Sequence, residues 1–185
     1  MNVPLSTPHQ WDAEYREGVW EHMASEDQRY RSVSALILRT VLPGHQIDLL
    51  DVGCGPGNLV PYLSPIERYT GLDISAAAVG RAPRGPGIEY TVARLEDYEP
   101  ERQFSTILFN EVLYYCQFEE MIPRYAKFLK PEGHMVTSLY DGMGQSPGLV
   151  EAISNCLDEH LLLLERTIIT DDWRSWSLAL YALAD

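Results

Sequence analysis

Leu49-Leu50-Asp51-Val52-Gly53-Cys54-Gly55-Pro56-Gly57-Asn58 is the stretch on which the reading of this 185-residue chain turns. It carries an apolar run, Ile47–Val52, into three glycines at alternate positions. A short run that is apolar except for Asp48 and Asp51 fits a strand buried on both faces of a parallel sheet. The glycines allow a sharp bend and bring main-chain N–H groups close to a ligand at the start of a helix. A dinucleotide loop spaces its glycines as GxGxxG to seat a pyrophosphate. Here the spacing is GxGxG, with Asp51 two residues ahead of the first glycine. An acid at the loop's edge suits a ligand with positive charge.

Working outward, the pattern predicts further strands at Tyr69–Asp73, Ile88–Val92, Phe104–Asn110 and 133–140, with helical segments over 59–63, 75–81 and 118–129. Lys130-Pro131-Glu132-Gly133 is expected to end the last of these helices. Such alternation predicts an α/β fold, Rossmann-like and doubly wound. A helical stretch, Trp11 to Leu42, precedes the first strand. A helix over 147–158 and two β-rich segments, 161–170 and 175–182, follow the fifth. The link Asp171-Asp172 is too short for a parallel crossover, so one strand should be reversed. A single domain over 1–185 is expected, with residues 1–45 as a helical N-terminal lid and 46–185 as the core.

Composition narrows the function classes. The formal charge is −13, from 27 acidic against 14 basic residues, which disfavours a nucleic acid or an anionic membrane as partner. The first residues show neither a basic region nor an apolar one of the kind a secretory signal carries. Three cysteines without a CxxC pair and five histidines without HExxH spacing predict reduced thiols, a cytoplasmic location and no metal.

A second acid lies in Gly71-Leu72-Asp73-Ile74-Ser75. Asp73 comes twenty residues after Gly53, the interval at which an acid meets ribose hydroxyls, although a strand-end aspartate also suits a helix N-cap. Asp51-Val-Gly-Cys-Gly-Pro-Gly together with Tyr69-Thr-Gly-Leu-Asp73 resembles the first two motifs of the class I S-adenosylmethionine-dependent methyltransferases. The likeness runs from about Trp11 to Tyr140 and takes in the C-terminal hairpin. It implies a seven-stranded, mostly parallel sheet with a reversed last strand. It also implies S-adenosylmethionine as cofactor, released as S-adenosylhomocysteine. By that resemblance Asp51, Gly53, Cys54, Gly55, Gly57 and Asn58 line the methionine half, Asp73 takes the ribose hydroxyls and Ile74 packs on the adenine. Arg94 stands where the family often has an acid at the adenine edge, so the Leu95 backbone or the Glu96 side chain is expected to serve. Ser105 departs from the family's Phe-Asp pair at the start of strand four, a change read as structural. Asn110 is implied to contact the cofactor. Glu111-Val-Leu-Tyr-Tyr115 resembles the smaller thiopurine- and nodulation-factor-type enzymes, which act on small molecules.

Trp11, Tyr15, Val19 and Met23 repeat at i, i+4 spacing, a stripe that suits plain packing or a lid over the cofactor. Trp11 and Tyr15 are the cofactor-facing candidates of that lid, and Arg31 is the candidate partner for the methionine carboxylate. Tyr114, Tyr115 and Tyr140 are expected to line the acceptor site, with Asp141 nearby. Glu111, Tyr115 and His22 are the catalytic candidates should a proton need to be taken. The expected activity is in-line methyl transfer to N or O of a small molecule, of a kind found in specialised metabolism, by a monomer or homodimer. A non-catalytic cofactor-binding module and an NAD-dependent oxidoreductase are the alternatives.

Overall fold

A computed structural model describes residues 7–142, 148–171 and 174–184. Pro147, where the last helix was expected to begin, and Asp172 of the hairpin link lie outside the described residues.

Seven strands form one sheet: β1 (Ile47–Val52), β2 (Ile66–Asp73), β3 (Ile88–Val92), β4 (Phe104–Asn110), β5 (Leu129–Tyr140), β6 (Leu161–Thr170) and β7 (Ser175–Leu183). Their order is β3-β2-β1-β4-β5-β7-β6. β1 pairs in parallel with β2 on one side and β4 on the other, with Val52 opposite Leu72 and Phe109. The chain therefore winds outward in opposite senses from β1. Gly53, Asp73 and Asn110 leave their strands along one edge, at the switch point where open α/β sheets bind ligands. β7 runs antiparallel to both β5 and β6, so it alone is reversed, slotted between two strands that run the same way.

Each face of the sheet carries an apolar layer. Every residue of β1 is buried, and its side chains alternate: Leu50 and Val52 face one cluster, Ile47 and Leu49 the other. The first cluster lies under α4 (Phe118–Ala126) and α5 (Leu149–His160), through Met121, Tyr125, Ile153 and Leu157. The second lies under α2 (Asp27–Arg39), through Tyr30, Val33 and Ile37. Asp51 has the parity of Leu49 and so points toward the α2 side.

Several expected elements are shorter or shifted. Instead of a helix over 59–63 there is a single 3-10 turn, Val60–Tyr62. Instead of 75–81 there is one turn, α3 (Ala76–Val79), capped by Ser75, whose Oγ accepts from Ala78 N at 3.1 Å. α4 stops at Ala126 and β5 already begins at Leu129, so Pro131 and Gly133 sit inside a strand. They fall where the β4–β5 register is interrupted, between the pairs Phe104–Leu129 and Thr106–His134, a place that tolerates a residue with no N–H to donate. The N-terminal stretch is three pieces: α1 (Pro8–Glu17), a 3-10 turn at Glu21–Ser25, and α2. Gly18, left-handed at φ 78°, ends α1, and this breaks the expected stripe: Val19 is 49% exposed. No helix among the described residues is long and apolar enough to cross a membrane.

Candidate functional site

The glycine loop is held from beneath. Gly53 N and Cys54 N donate to Leu72 O at 2.7 and 3.0 Å, and Gly55 N donates to Asp73 Oδ2 at 2.8 Å. Gly53 has φ 72°, and a Cβ there would stand 2.6 Å from Val112 Cγ2. At Gly55, φ 55°, a Cβ would meet the Tyr15 hydroxyl at 2.8 Å. Both positions thus combine a left-handed backbone with a close neighbour, which only glycine satisfies.

Asp73 is buried and also accepts from Ser75 N at 2.8 Å. The cap of α3 is Ser75, which corrects the alternative that Asp73 fills that place. Burial raises the Asp73 carboxyl pKa, against backbone donors that lower it. Asp51 Oδ2 accepts from Tyr69 Oη at 2.7 Å, while Asp51 Oδ1 is buried with no hydrogen-bond partner among the described residues. Burial, with the charge of Asp73 adding to it, pushes the Asp51 carboxyl up to about 7 against the Tyr69 bond and Arg29.

The arginine that packs behind the site is Arg29, which lines neither opening itself but touches Asn110 and Tyr30, which do. Arg31, the one favoured from sequence, lies on the outer face of α2 and pairs with Asp27. Arg29 is fully buried: its Nε donates to Glu26 Oε2 at 2.7 Å, its Nη1 donates to Asn110 Oδ1, and its guanidinium lies 4.5 Å from the Tyr30 ring centre. Its Nη2 stands 2.6 Å from the same Glu26 oxygen, an ion-pair contact, yet makes no hydrogen bond of good geometry. Helix phase was the available signal, since Arg29, Val33 and Ile37 share the buried face of α2 while Arg31 does not.

A carboxylate on α1 ties that helix to α3. Asp12, on α1, accepts from Ser75 Oγ at 2.7 Å and from Ala77 N at 3.0 Å, so it caps α3 from across the site. Those bonds lower the Asp12 carboxyl pKa, the Ala77 N–H contributing most. Trp11 meets Tyr115 edge-on with ring centres 5.0 Å apart and lies 5.5 Å from Trp20, whose Nε1 donates to Glu14 at 2.9 Å.

These elements enclose a cavity of about 400 Å³, within the range of small-molecule sites. Of the residues expected to hold a cofactor, Gly53, Asp73, Ile74, Leu95, Glu96 and Asn110 line it, as do Trp11 and Tyr15 of the lid. Glu111, Tyr114, Tyr115, Tyr140 and His22 of the acceptor and catalytic candidates line it too. A recess of about 30 Å³ shares Tyr15, Gly53 and Asn110 with it and reaches Asp51, Cys54, Gly55 and Asn58. Gly57, Arg31 and Asp141 line neither. Trp20, Glu26, Arg174 and Trp176 line the cavity and carried no legible sequence signal. At the adenine-side candidates, Glu96 is paired with Arg94 at 3.4 Å, and Leu95 O accepts from Tyr125 Oη at 3.0 Å.

Among the catalytic candidates, Glu111 is the most constrained. It is a non-glycine residue at φ 62°, its N–H donates to Ser138 O at 3.0 Å, and its carboxylate accepts from Ser138 Oγ at 2.6 Å, Tyr140 N at 3.0 Å and Tyr114 Oη at 3.2 Å. Burial pushes its pKa up to about 7 despite Arg29 and these donors. Burial raises the Tyr114 and Tyr115 hydroxyls as well, the charge of Glu111 adding to both, so neither tyrosine ionises near neutrality. The Cys54 thiol is raised well above its ordinary value by burial, which leaves it no nucleophile. Among the described residues no group of three or more His, Cys, Asp and Glu is placed to hold a metal ion.

A family model described as a methyltransferase domain matches residues 21–180. Among curated proteins, the trans-aconitate 2-methyltransferase of Escherichia coli O157:H7 is 28% identical over 135 residues, 70% of this chain and 52% of that protein. The chain thus spans about half the length of the curated relatives it matches. Among solved structures, the N-methyltransferase NodS of Bradyrhizobium japonicum WM9 in complex with S-adenosyl-L-homocysteine superposes with TM-score 0.73 at 24% identity, covering 86% of this chain and 88% of that one. The [4+2]-cyclase SpnF superposes with TM-score 0.75 at 13% identity, covering 99% of each chain. At such identities the structural likeness establishes the fold alone.

Proposed function

The chain belongs to the methyltransferase-domain family, and we propose that it transfers a methyl group from S-adenosylmethionine to an N or O atom of a small-molecule acceptor. The observation that carries this reading is a pair of buried polar atoms of opposite character. Asp51 Oδ1 is an acceptor without a donor, and Arg29 Nη2 is a donor without an aligned acceptor. Such groups are costly to bury unless a partner completes them. Asp51 lines the small recess, and Arg29 contacts Asn110 and Tyr30, which line it too. An amino-acid head group carries the complement, an ammonium for Asp51 and a carboxylate for Arg29. Asp73 and Ile74, at the end of β2, would then hold the ribose and adenine.

Bound there, the cofactor supplies an electrophilic methyl group on a sulfonium. This chain's residues align the acceptor and keep water out. Trp11 and Trp20 close the site from the lid, and Tyr115 and Tyr140 flank the remaining space. Holding the two reactants in line is where such a site gains most of its rate.

Calorimetric titration with S-adenosylhomocysteine and, separately, NADH tests the cofactor. Micromolar binding of the first and none of the second is expected. Binding of NADH alone, or of neither ligand to folded protein, overturns the proposal. Transfer of label from S-adenosylmethionine to amine or hydroxyl acceptors then tests the reaction.

A further inference from the structure

We infer that the acceptor is a flat ring bearing an N–H, and that the Glu111 carboxylate accepts that hydrogen through a position on Oε1 the protein leaves open. This rests on the methyl-transfer reading of the same cavity and adds the class of its second ligand.

A carboxylate offers about four lone-pair sites. Glu111 Oε2 accepts from Tyr140 N and Tyr114 Oη, whereas among the described residues Oε1 accepts only from Ser138 Oγ. The residue is partly open, and it lines the cavity. Its left-handed backbone is a strained state for a side chain of this size, kept there by the bond from its own N–H to Ser138 O. Three donors and a locked backbone leave the carboxylate one place to point. That fixity is what an acceptor-orienting group needs.

The walls around it are aromatic. Trp11 and Tyr115 meet edge-on on the lid side, and Tyr140 and Trp176 lie 5.8 Å apart on the other. Rings favour rings through stacked and edge-on contacts. The charges disfavour an anion. With Arg29 turned to the cofactor's carboxylate, the arginines that line the cavity are engaged, Arg174 with Glu26 and Asp171 and Arg94 with Glu96. A polycarboxylate such as trans-aconitate would have to displace these partners while facing Glu111 and Asp73.

The proton count closes. The acceptor nitrogen's lone pair forms the bond to the methyl carbon, the carbon–sulfur bond breaks with its pair going to sulfur, and the nitrogen's proton passes to Glu111. The groups that set the ionisation of Glu111 are Arg29 and Glu26 from α2, Ser138 and the Tyr140 N–H from β5, and Tyr114 and Tyr115 beside it. With its pKa near 7, Glu111 is a carboxylate that takes up a proton without difficulty at neutral pH.

The test is binding, not turnover. Protein saturated with S-adenosylhomocysteine is titrated with indole, with benzofuran, which has nearly the same shape with a ring oxygen in place of the N–H, and with trans-aconitate. Indole should bind roughly ten- to a hundredfold tighter than benzofuran, the scale of a hydrogen bond to a charged group. That preference should shrink in Glu111→Gln. In the unmodified protein it should also fade as pH drops below about 7, an arm that needs no variant to fold. Equal affinity for indole and benzofuran, binding of neither, or preference for trans-aconitate overturns the inference. Failure to bind S-adenosylhomocysteine at all is a separate result, which removes the methyl-transfer reading beneath it and the inference with it.

Discussion

Replacing Asp73 with Asn separates two tasks that the side chain combines. Its Oδ2 accepts from Gly55 N and its Oδ1 from Ser75 N, both at 2.8 Å, in a buried setting. An amide keeps one acceptor and turns an NH2 group toward the other N–H. One charge-assisted hydrogen bond is lost, about 1.5–3 kcal/mol. For a domain of this size that corresponds to a melting temperature roughly 3–12 °C lower. The ligand loses separately. A ribose hydroxyl that donated to the carboxylate forfeits a bond of the same class, which weakens S-adenosylhomocysteine roughly ten- to a hundredfold. Differential scanning calorimetry reads the first quantity and isothermal titration the second. A 2′,3′-dideoxy analogue of S-adenosylhomocysteine closes a cycle: it should bind less tightly than the parent to the unmodified protein and almost equally to Asp73→Asn. An unchanged melting temperature refutes the loop-tying role. An unchanged ratio between the two ligands in folded Asp73→Asn refutes the ribose role, even if overall affinity falls.

Arg29→Ala should cost on the order of 3 kcal/mol, since it removes one of the two arginines that pair with the buried Glu26, and should abolish S-adenosylhomocysteine binding by titration. Arg31→Ala, which removes an exposed pair, should leave melting and affinity where they were. Gly53→Ala forces a side chain into a left-handed backbone and against Val112, at least about 1–2 kcal/mol from the backbone alone. Adding Val112→Ala should recover the steric part of the loss in a denaturant melt but not the backbone part. Glu111 has its folded pKa raised from 4.5 to about 7. Below the unfolded value both states are protonated and pH has no effect through this group. Between the two values the unfolded chain releases a proton that the folded one keeps, so stability falls as pH rises, by on the order of 3 kcal/mol in all. Glu111→Gln should therefore gain on the unmodified protein across that window in urea melts at successive pH values, and a constant difference would contradict the assignment.

The sheet was legible because its strands are short apolar runs whose ends are marked by glycine or aspartate, and because Asp171-Asp172 admits only a reversed return. What misled was local punctuation. Pro131 and Gly133 read as the end of a helix, yet they occupy a register break inside β5, because pairing with β4 outweighs a missing N–H there. Gly18 carried the opposite message: a left-handed cap in the middle of an apparent helical stripe, which divides the lid and turns Val19 outward. At the site, the glycine loop and Asp73 were readable from spacing, and the Glu111 segment only from its resemblance to the family. Arg29 was not chosen over Arg31 because sequence shows two arginines and only the phase of α2 shows which one points inward. Glu26, Arg174 and Trp176 come from segments with no local chemical signature, and only the packing of α2 against the sheet brings them together.

One chain of hydrogen bonds connects the parts of the site that sequence treats as separate. Gly55 N donates to Asp73, Asp73 accepts from Ser75 N, and Ser75 Oγ donates to Asp12 on the lid. The residues that shape the glycine loop thus fasten the helix that covers it. Tyr15, one turn beyond Asp12, closes the circuit by placing its hydroxyl against Gly55. A ligand that draws on Asp73 through its hydroxyls would act on the same carboxylate that holds Gly55 and Ser75, so occupation of the ribose position and the seating of the lid are physically linked. Burial raises the Asp73 pKa, and the backbone donors that tie it to the loop and to Ser75 act against that by stabilising its charged form.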